Sequence, residues 1–328
     1  SITFKRRMAG IKSAVLILVT AISFIVPFDA IAASEEKKDG KEKKQATVKM
    51  PEVSSSSYIV ISGSTSEVVL NKHVERKMQP GCITMLMTAM VVIDNMYDET
   101  EFKNTVTINE KLTKHGDTFK LGEEITIKDL LVTMLVGSDI QAAEELAMYT
   151  ASSKDIFLNE MNSKCLELGI MDTQFANSSG RFSQEQYATA KDLAVITQAA
   201  MRYQEVKDAL ALKSATVTAS SNDGEREIEI ASSNPLKAED PKVGYEYIKG
   251  GIAGTMGDPV YTSQFAAIST KDDMQLICIL MDSDQDSIAA EAKGLLEYAY
   301  TKVTRNPIVK KDKRVGHARI KGGAWTRV

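Results

Sequence analysis

Apolar positions along this chain switch between a two-residue and a three-to-four-residue spacing, and the switches predict its elements. Residues 58–61 and 68–70 are apolar runs on either side of Gly63-Ser64-Thr65-Ser66-Glu67, the pattern of a β-hairpin. Residues 83–96 have so few polar positions that a helix there must be largely buried. Short strands are predicted over 105–108 and 124–127, and a helix over 128–148 that breaks near Gly137-Ser138. Residues 153–168 are amphipathic. A Ser-Ser-Lys-Asp start and Gly169 just past the end supply the residue types that helix termini favour. A further helix is predicted over 189–201. Residues 245–249, 261–269 and 274–281 read as strands, the last two paired across Thr270-Lys271-Asp272-Asp273, and residues 287–300 close the pattern as a helix. Strands at both ends around a helical middle predict the α+β class. The N- and C-terminal strands would share one antiparallel sheet, flanked by helices, with a helical subdomain.

The first residues follow a different pattern. Lys5, Arg6, Arg7 and Lys12 precede an apolar run over 14–28 and the small-residue sequence Ala30-Ile31-Ala32. A run of about 15 residues suits a signal peptide better than a spanning helix, which needs about 20. Residues 1–33 are therefore expected to be a signal peptide, with an uncleaved N-terminal anchor as the alternative. Either places the body of the protein outside the cytoplasmic membrane, exported to the cell envelope or secreted. Residues 34–57, with mixed charge and then a serine run, are expected to form a linker. Residues 58–305 form the expected domain. The basic tail over 306–328 is too short to bury a core alone and reads as the possible start of a further β domain.

Composition narrows the chemistry. A net charge of -4 over 328 residues, with no basic stripe on a helical pattern, argues against nucleic acid as a partner. Three widely spaced cysteines, Cys82, Cys165 and Cys278, make no disulfide framework, and the scattered His73, His115 and His317 suggest no metal site. Nothing implies a cofactor. The methionines of the 83–96 helix read as core filling, although a ligand groove lined by them is an alternative. Gly254-x-x-Gly257 lacks the context of a phosphate loop and reads as a turn with Asp258-Pro259.

The most informative stretch is residues 80–89, P-G-C-I-T-M-L-M-T-A. With it come Phe157-x-x-x-Met161-Asn162, Leu168-Gly169, Thr173-x-Phe175-x-Asn177, Gly180, and Tyr187-x-Thr189-Ala190-x-Asp192-Leu193-Ala194. In order and spacing these motifs resemble those of the D-Ala-D-Ala carboxypeptidases, the low-molecular-weight penicillin-binding proteins that share a fold with serine β-lactamases. The resemblance covers residues 58–300. It implies a DD-peptidase/β-lactamase-like fold and a cleft for peptidoglycan stem peptides and β-lactams. The family's nucleophile turn is P-A-S-x-T-K, in which a Ser attacks an acyl donor and a Lys one helical turn later takes its proton.

The resemblance breaks at the catalytic positions. Cys82 stands at the nucleophile and Met85 at the base, and a thioether has no proton to exchange. The family's S-x-N motif aligns with Ser138-Asp139-Ile140: the shuttle hydroxyl of Ser138 remains, and Ile140 replaces the substrate-orienting Asn. A register using Asp139 is the alternative. The K-T-G motif is matched to Lys249-Gly250-Gly251, which keeps the cation and the last Gly but not the hydroxyl. Cys82 is read as a small buried residue, with a reactive thiol as the alternative. The leading expectation is thus an exported, catalytically impaired homologue that acts by binding stem peptide, a weakened β-lactam or a protein partner. The alternatives are a working hydrolase of cell-wall peptides and an interaction protein whose cleft is filled.

Overall fold

The computed structural model describes residues 48–109, 112 and 116–303, and two two-residue strands at His317–Ala318 and Thr326–Arg327. The expected signal peptide, the charged half of the linker and most of the basic tail lie outside the described residues.

Five antiparallel strands form the central sheet. They are β1 (Ser57–Ser62), β2 (Val68–Lys72), β7 (Ile248–Thr255), β8 (Ser263–Lys271) and β9 (Met274–Ser283), in the order β2-β1-β9-β8-β7. N- and C-terminal strands therefore share one sheet, as the pattern predicts. Both faces are covered, so β1 and β9 read as continuous apolar runs rather than alternating ones. Alternate residues divide between two cores. Tyr58, Val60, Cys278 and Leu280 pack with Leu295 and Leu296 of the closing helix α7 (Ile288–Tyr300). Ile59, Ile61, Ile277 and Ile279 face the helical layer.

That layer is built around α1 (Thr84–Asp94), in which every residue from Thr84 to Val92 is buried. Around α1 stand α2 (Ile127–Gly137), α3 (Ile140–Thr150), α4 (Lys154–Glu167), α5 (Ala190–Ala200) and α6 (Gln204–Ala211). Side-chain caps start four of them, by Thr126, Asp139, Ser153 and Thr189, each accepting a backbone N–H two or three residues into its helix. A second antiparallel sheet combines β3 (Thr105–Thr107), β4 (Glu124–Thr126), β5 (Ser214–Ser221) and β6 (Gly224–Ala231), in that order. The α6 helix and the β5–β6 hairpin are absent from the pattern-based expectation. The hairpin's signal is nonetheless present: Asp223-Gly224 joins two alternating runs.

The serine run expected to close the linker is held on the folded unit instead. Ser54 and Ser55 donate to the buried Glu291 carboxylate of α7 through both hydroxyls (2.5 Å each) and both backbone N–H groups. Ser283 and Ser287 add hydroxyls at 3.1 and 3.0 Å. Ser56 hydrogen-bonds Asp282, and Ser57 opens β1. A buried carboxylate needs donors, and four serines supply them.

Burial pushes the Glu291 carboxyl up, but the serine donors outweigh it and hold it at about 2, below its ordinary 4.5. A depressed carboxylate stabilises the fold fully above about pH 4.5 and loses that contribution as pH falls towards 2, here about 3 kcal/mol. Chemical denaturation from pH 6 to pH 2.5 is expected to show this loss in the wild type. Glu291→Gln should be less stable at pH 6, with a correspondingly flatter acid limb. Equal slopes would remove Glu291 as the source.

Candidate active site

The site begins where the chain turns into α1. Gly81 takes φ +54°, and a Cβ there would lie 2.2 Å from Gln264 Oε1, so glycine is needed. One 3₁₀ turn over Gly81–Ile83 then presents Cys82 to a cleft, and Met85 follows on the same face. Cys82 is 7 % exposed, and its Sγ lies 3.7 Å from the Gln264 carbonyl, which accepts its S–H. Burial pushes the thiol up to about 12, against the opposing effect of a hydrogen bond with Ser138. Cys82 is thus buried, as its small-residue reading expects, in surroundings that disfavour the thiolate. Cys165 and Cys278 are buried as well.

A second wall comes from the break between α2 and α3. Ser138 adopts left-handed backbone (φ 57°, ψ 43°), which ends α2 and turns its hydroxyl towards α1. Ser138 Oγ donates to Met85 Sδ at 3.9 Å. The shuttle hydroxyl and the base position thus meet, but the atom at the base position is a thioether sulfur. Asp139 does not face the chemistry. It accepts from Ala142 N (2.7 Å) and Thr118 Oγ1 (2.5 Å), and so caps α3. Ile140, half-buried, lines the cleft.

The third wall is a loop that the sequence marks through Asn177 and Gly180. Asn177 Oδ1 accepts from Gly180 N (2.7 Å), and Asn177 Nδ2 donates to the Arg181 carbonyl (2.8 Å). Thr88 of α1 donates to the Ser178 carbonyl (2.6 Å). The loop presents Ser179, Arg181 and Phe182 to the cleft. The Arg181 guanidinium rests on Glu144 of α3, with Nε at 2.9 Å and Nη2 at 2.6 Å.

The fourth wall corrects the expected register of β7. Ala253, Gly254 and Thr255 line the cleft, whereas Lys249, Gly250 and Gly251 are not among the described lining residues. A Cβ on Gly254 would meet Cys82 Cβ at 3.1 Å, Ser138 Oγ at 3.2 Å and Cys82 Sγ at 3.3 Å, so this glycine lies directly against the nucleophile position. Gly250 backs onto Leu210 of α6 instead. Lys249 is exposed at the far end, about 16 Å along the strand from Gly254 at about 3.3 Å per residue. The Lys-Gly-Gly letters resemble the motif, but the pairing of β7 with β8 carries them past the nucleophile turn, with a bulge between Ile248 and Gly250. Local letters cannot reveal which residues of a strand stand opposite a helix end. The missed residues are Arg181, Phe182 and Ala253–Asp258; Gly251-Ile252-Ala253-Gly254-Thr255 lacks the lysine that would mark it.

The four walls enclose an open cleft of about 560 Å³. A pocket of about 600 Å³ lies elsewhere, lined by Lys213, Lys237, Lys293 and Tyr245 among others. Its half-buried Lys237 ammonium donates to the Leu210 and Leu212 carbonyls at 2.6 Å each, which serves the C-terminal end of α6.

An antiparallel sheet with helices on both faces, and a helix N-terminus aimed into a cleft between the sheet edge and a helical subdomain, define the DD-peptidase class. The family of D-alanyl-D-alanine carboxypeptidases matches residues 44–285, and the chain belongs to it. It is 22% identical to the D-alanyl-D-alanine carboxypeptidase DacF of Bacillus subtilis, over 81% of this chain and 67% of the relative. It is 30% identical to a D-alanyl-D-alanine endopeptidase of Escherichia coli, over 56% of this chain and 57% of the relative. The fold is similar to that of the Streptomyces K15 DD-transpeptidase, with a TM-score of 0.70 at 20% identity over 77% of this chain and all of that one. It is also similar to a penicillin-binding protein homolog from Mycobacterium tuberculosis, with a TM-score of 0.67 at 23% identity over 80% of this chain and 97% of that one.

Proposed function

We propose that this member of the carboxypeptidase family binds cell-wall stem peptides in its cleft without acylating on them. The observation that carries the reading is Met85, a buried thioether where acyl transfer needs a base. Losing one member of a coupled nucleophile–base unit costs about as much as losing the whole unit. Cys82 is a poor substitute in this reading, because burial disfavours its thiolate. The open cleft weighs against the reading in which side chains fill it. Export rests on the basic residues, apolar run and Ala-x-Ala pattern at the N-terminus. A protein partner would use the same cleft as an alternative occupant.

The test is release of D-Ala from Nα,Nε-diacetyl-L-Lys-D-Ala-D-Ala at pH 7 and pH 9 with protein in large excess, together with labelling by a fluorescent penicillin. Neither release nor covalent label is expected. One observation favours the second reading, a thiol-dependent hydrolase: Cys82 and Ser138 remain side by side. Turnover that disappears in Cys82→Ala would establish that reading and overturn ours.

A further inference from the structure

The charges around the cleft select its ligand. Arg181 is the only cation among the described lining residues, and both of its bonded nitrogens are committed to Glu144. The Glu144 carboxylate is buried, so this pair presents little net charge to a ligand. The only other charged lining residue is Asp258, exposed in the connection between β7 and β8. The strand residues opposite Cys82 are Ala253, Gly254 and Thr255, and Lys249 lies outside the lining. A carboxylate entering this cleft would lose water, meet only a guanidinium already paired with a buried carboxylate, and approach an aspartate.

The cleft retains the means to hold an uncharged chain. β7 is an edge strand of the central sheet. Ala253 N–H points away from β8, towards Ser233 Oγ at 3.3 Å, so strand alternation places the backbone groups of Thr255 on the same outer edge. An extended peptide laid along that edge would bond Thr255 through its own amides. Apolar contact is available from Ile140 and from Phe182, which is 38% exposed.

We infer that the cleft is specific for an uncharged, extended peptide segment: an internal or amidated stretch of stem peptide, not one ending in a free carboxylate. This rests on the proposed stem-peptide reading and names the ligand that the site takes. Thr255 and Asp258 are the residues through which charge selection can be altered, because both are exposed and neither supports the core.

Calorimetric titration with Nα,Nε-diacetyl-L-Lys-D-Ala-D-Ala and with its C-terminal amide tests the inference. The amide is expected to bind about fivefold or more tightly than the acid, the scale of one charge contact at a wet surface. Thr255→Lys should bring the acid to parity with the amide or beyond it, and Asp258→Asn should narrow the gap. Equal binding, or tighter binding of the acid by the wild type, would overturn the inference and leave stem-peptide recognition standing. Failure of either peptide to bind at millimolar concentration would overturn both.

Discussion

Cys82→Ser/Met85→Lys is expected to become covalently labelled by a fluorescent penicillin about 10²–10⁴-fold faster than Cys82→Ser alone, the range a positioned general base contributes. The geometry for this is in place. Met85 is 1 % exposed, on the same face of the turn as Cys82, and its sulfur lies 3.9 Å from Ser138 Oγ. A lysine amine of similar length would reach the same region. Burial disfavours the charged form of an amine, so part of the lysine would be neutral near pH 7 and able to take the serine proton. Ser138 would then relay the proton between base and leaving group. Stability should fall, because a buried cation replaces a packed thioether, so circular dichroism and the label must be read on the same sample. Peptide turnover is expected to lag behind penicillin acylation, since Ala253 and Gly254 still offer no cation or hydroxyl where β7 meets the nucleophile. Labelling of Cys82→Ser at the rate of the double variant would show that Met85 is not the missing function.

Gly180→Ala is expected to cost about 4 kcal/mol or more and to disrupt the cleft. A Cβ at this position would sit 1.8 Å from the Gly81 carbonyl oxygen and 3.1 Å from Cys82 N. Both neighbours are backbone, so no side chain can swing away. Gly180 also has φ +79°, which alanine adopts at a cost. The strain would fall where two loops meet: Gly81 itself takes positive φ and is blocked behind by Gln264. One loop or the other must move, carrying Cys82 or Arg181 with it. Gly169→Ala is the control. That glycine also has positive φ (+73°), but nothing lies within 4 Å of its added Cβ. Its expected cost is about 1 kcal/mol, from backbone conformation alone. Denaturant midpoints of the two variants separate contact from conformation, and similar losses would refute the close approach at Gly180.

The sequence alone carried the elements whose signals are local. Ser153 and Thr189 at helix starts, Gly169 after a helix end and the apolar run of α1 each state their structure within a few residues. The family resemblance, rather than a local signal, assigned Cys82, Met85 and Ser138 to its nucleophile, base and shuttle positions, and it is the fold that sets Cys82 beside Ser138. The Ser54–Ser57 run misled, because serines are as much at home in a linker as around a carboxylate. Only the fold brings Glu291, more than 230 residues away, to meet them. The β7 register misled for a related reason. Lys249-Gly250-Gly251 carries the right letters, but which part of a strand faces Cys82 depends on its pairing with β8 and on the packing of α6 against Gly250. Residue chemistry could therefore be read from the chain. The placement of Ala253–Thr255 in the cleft, and the pairing of Arg181 with Glu144, were decided by long-range packing that no local pattern encodes.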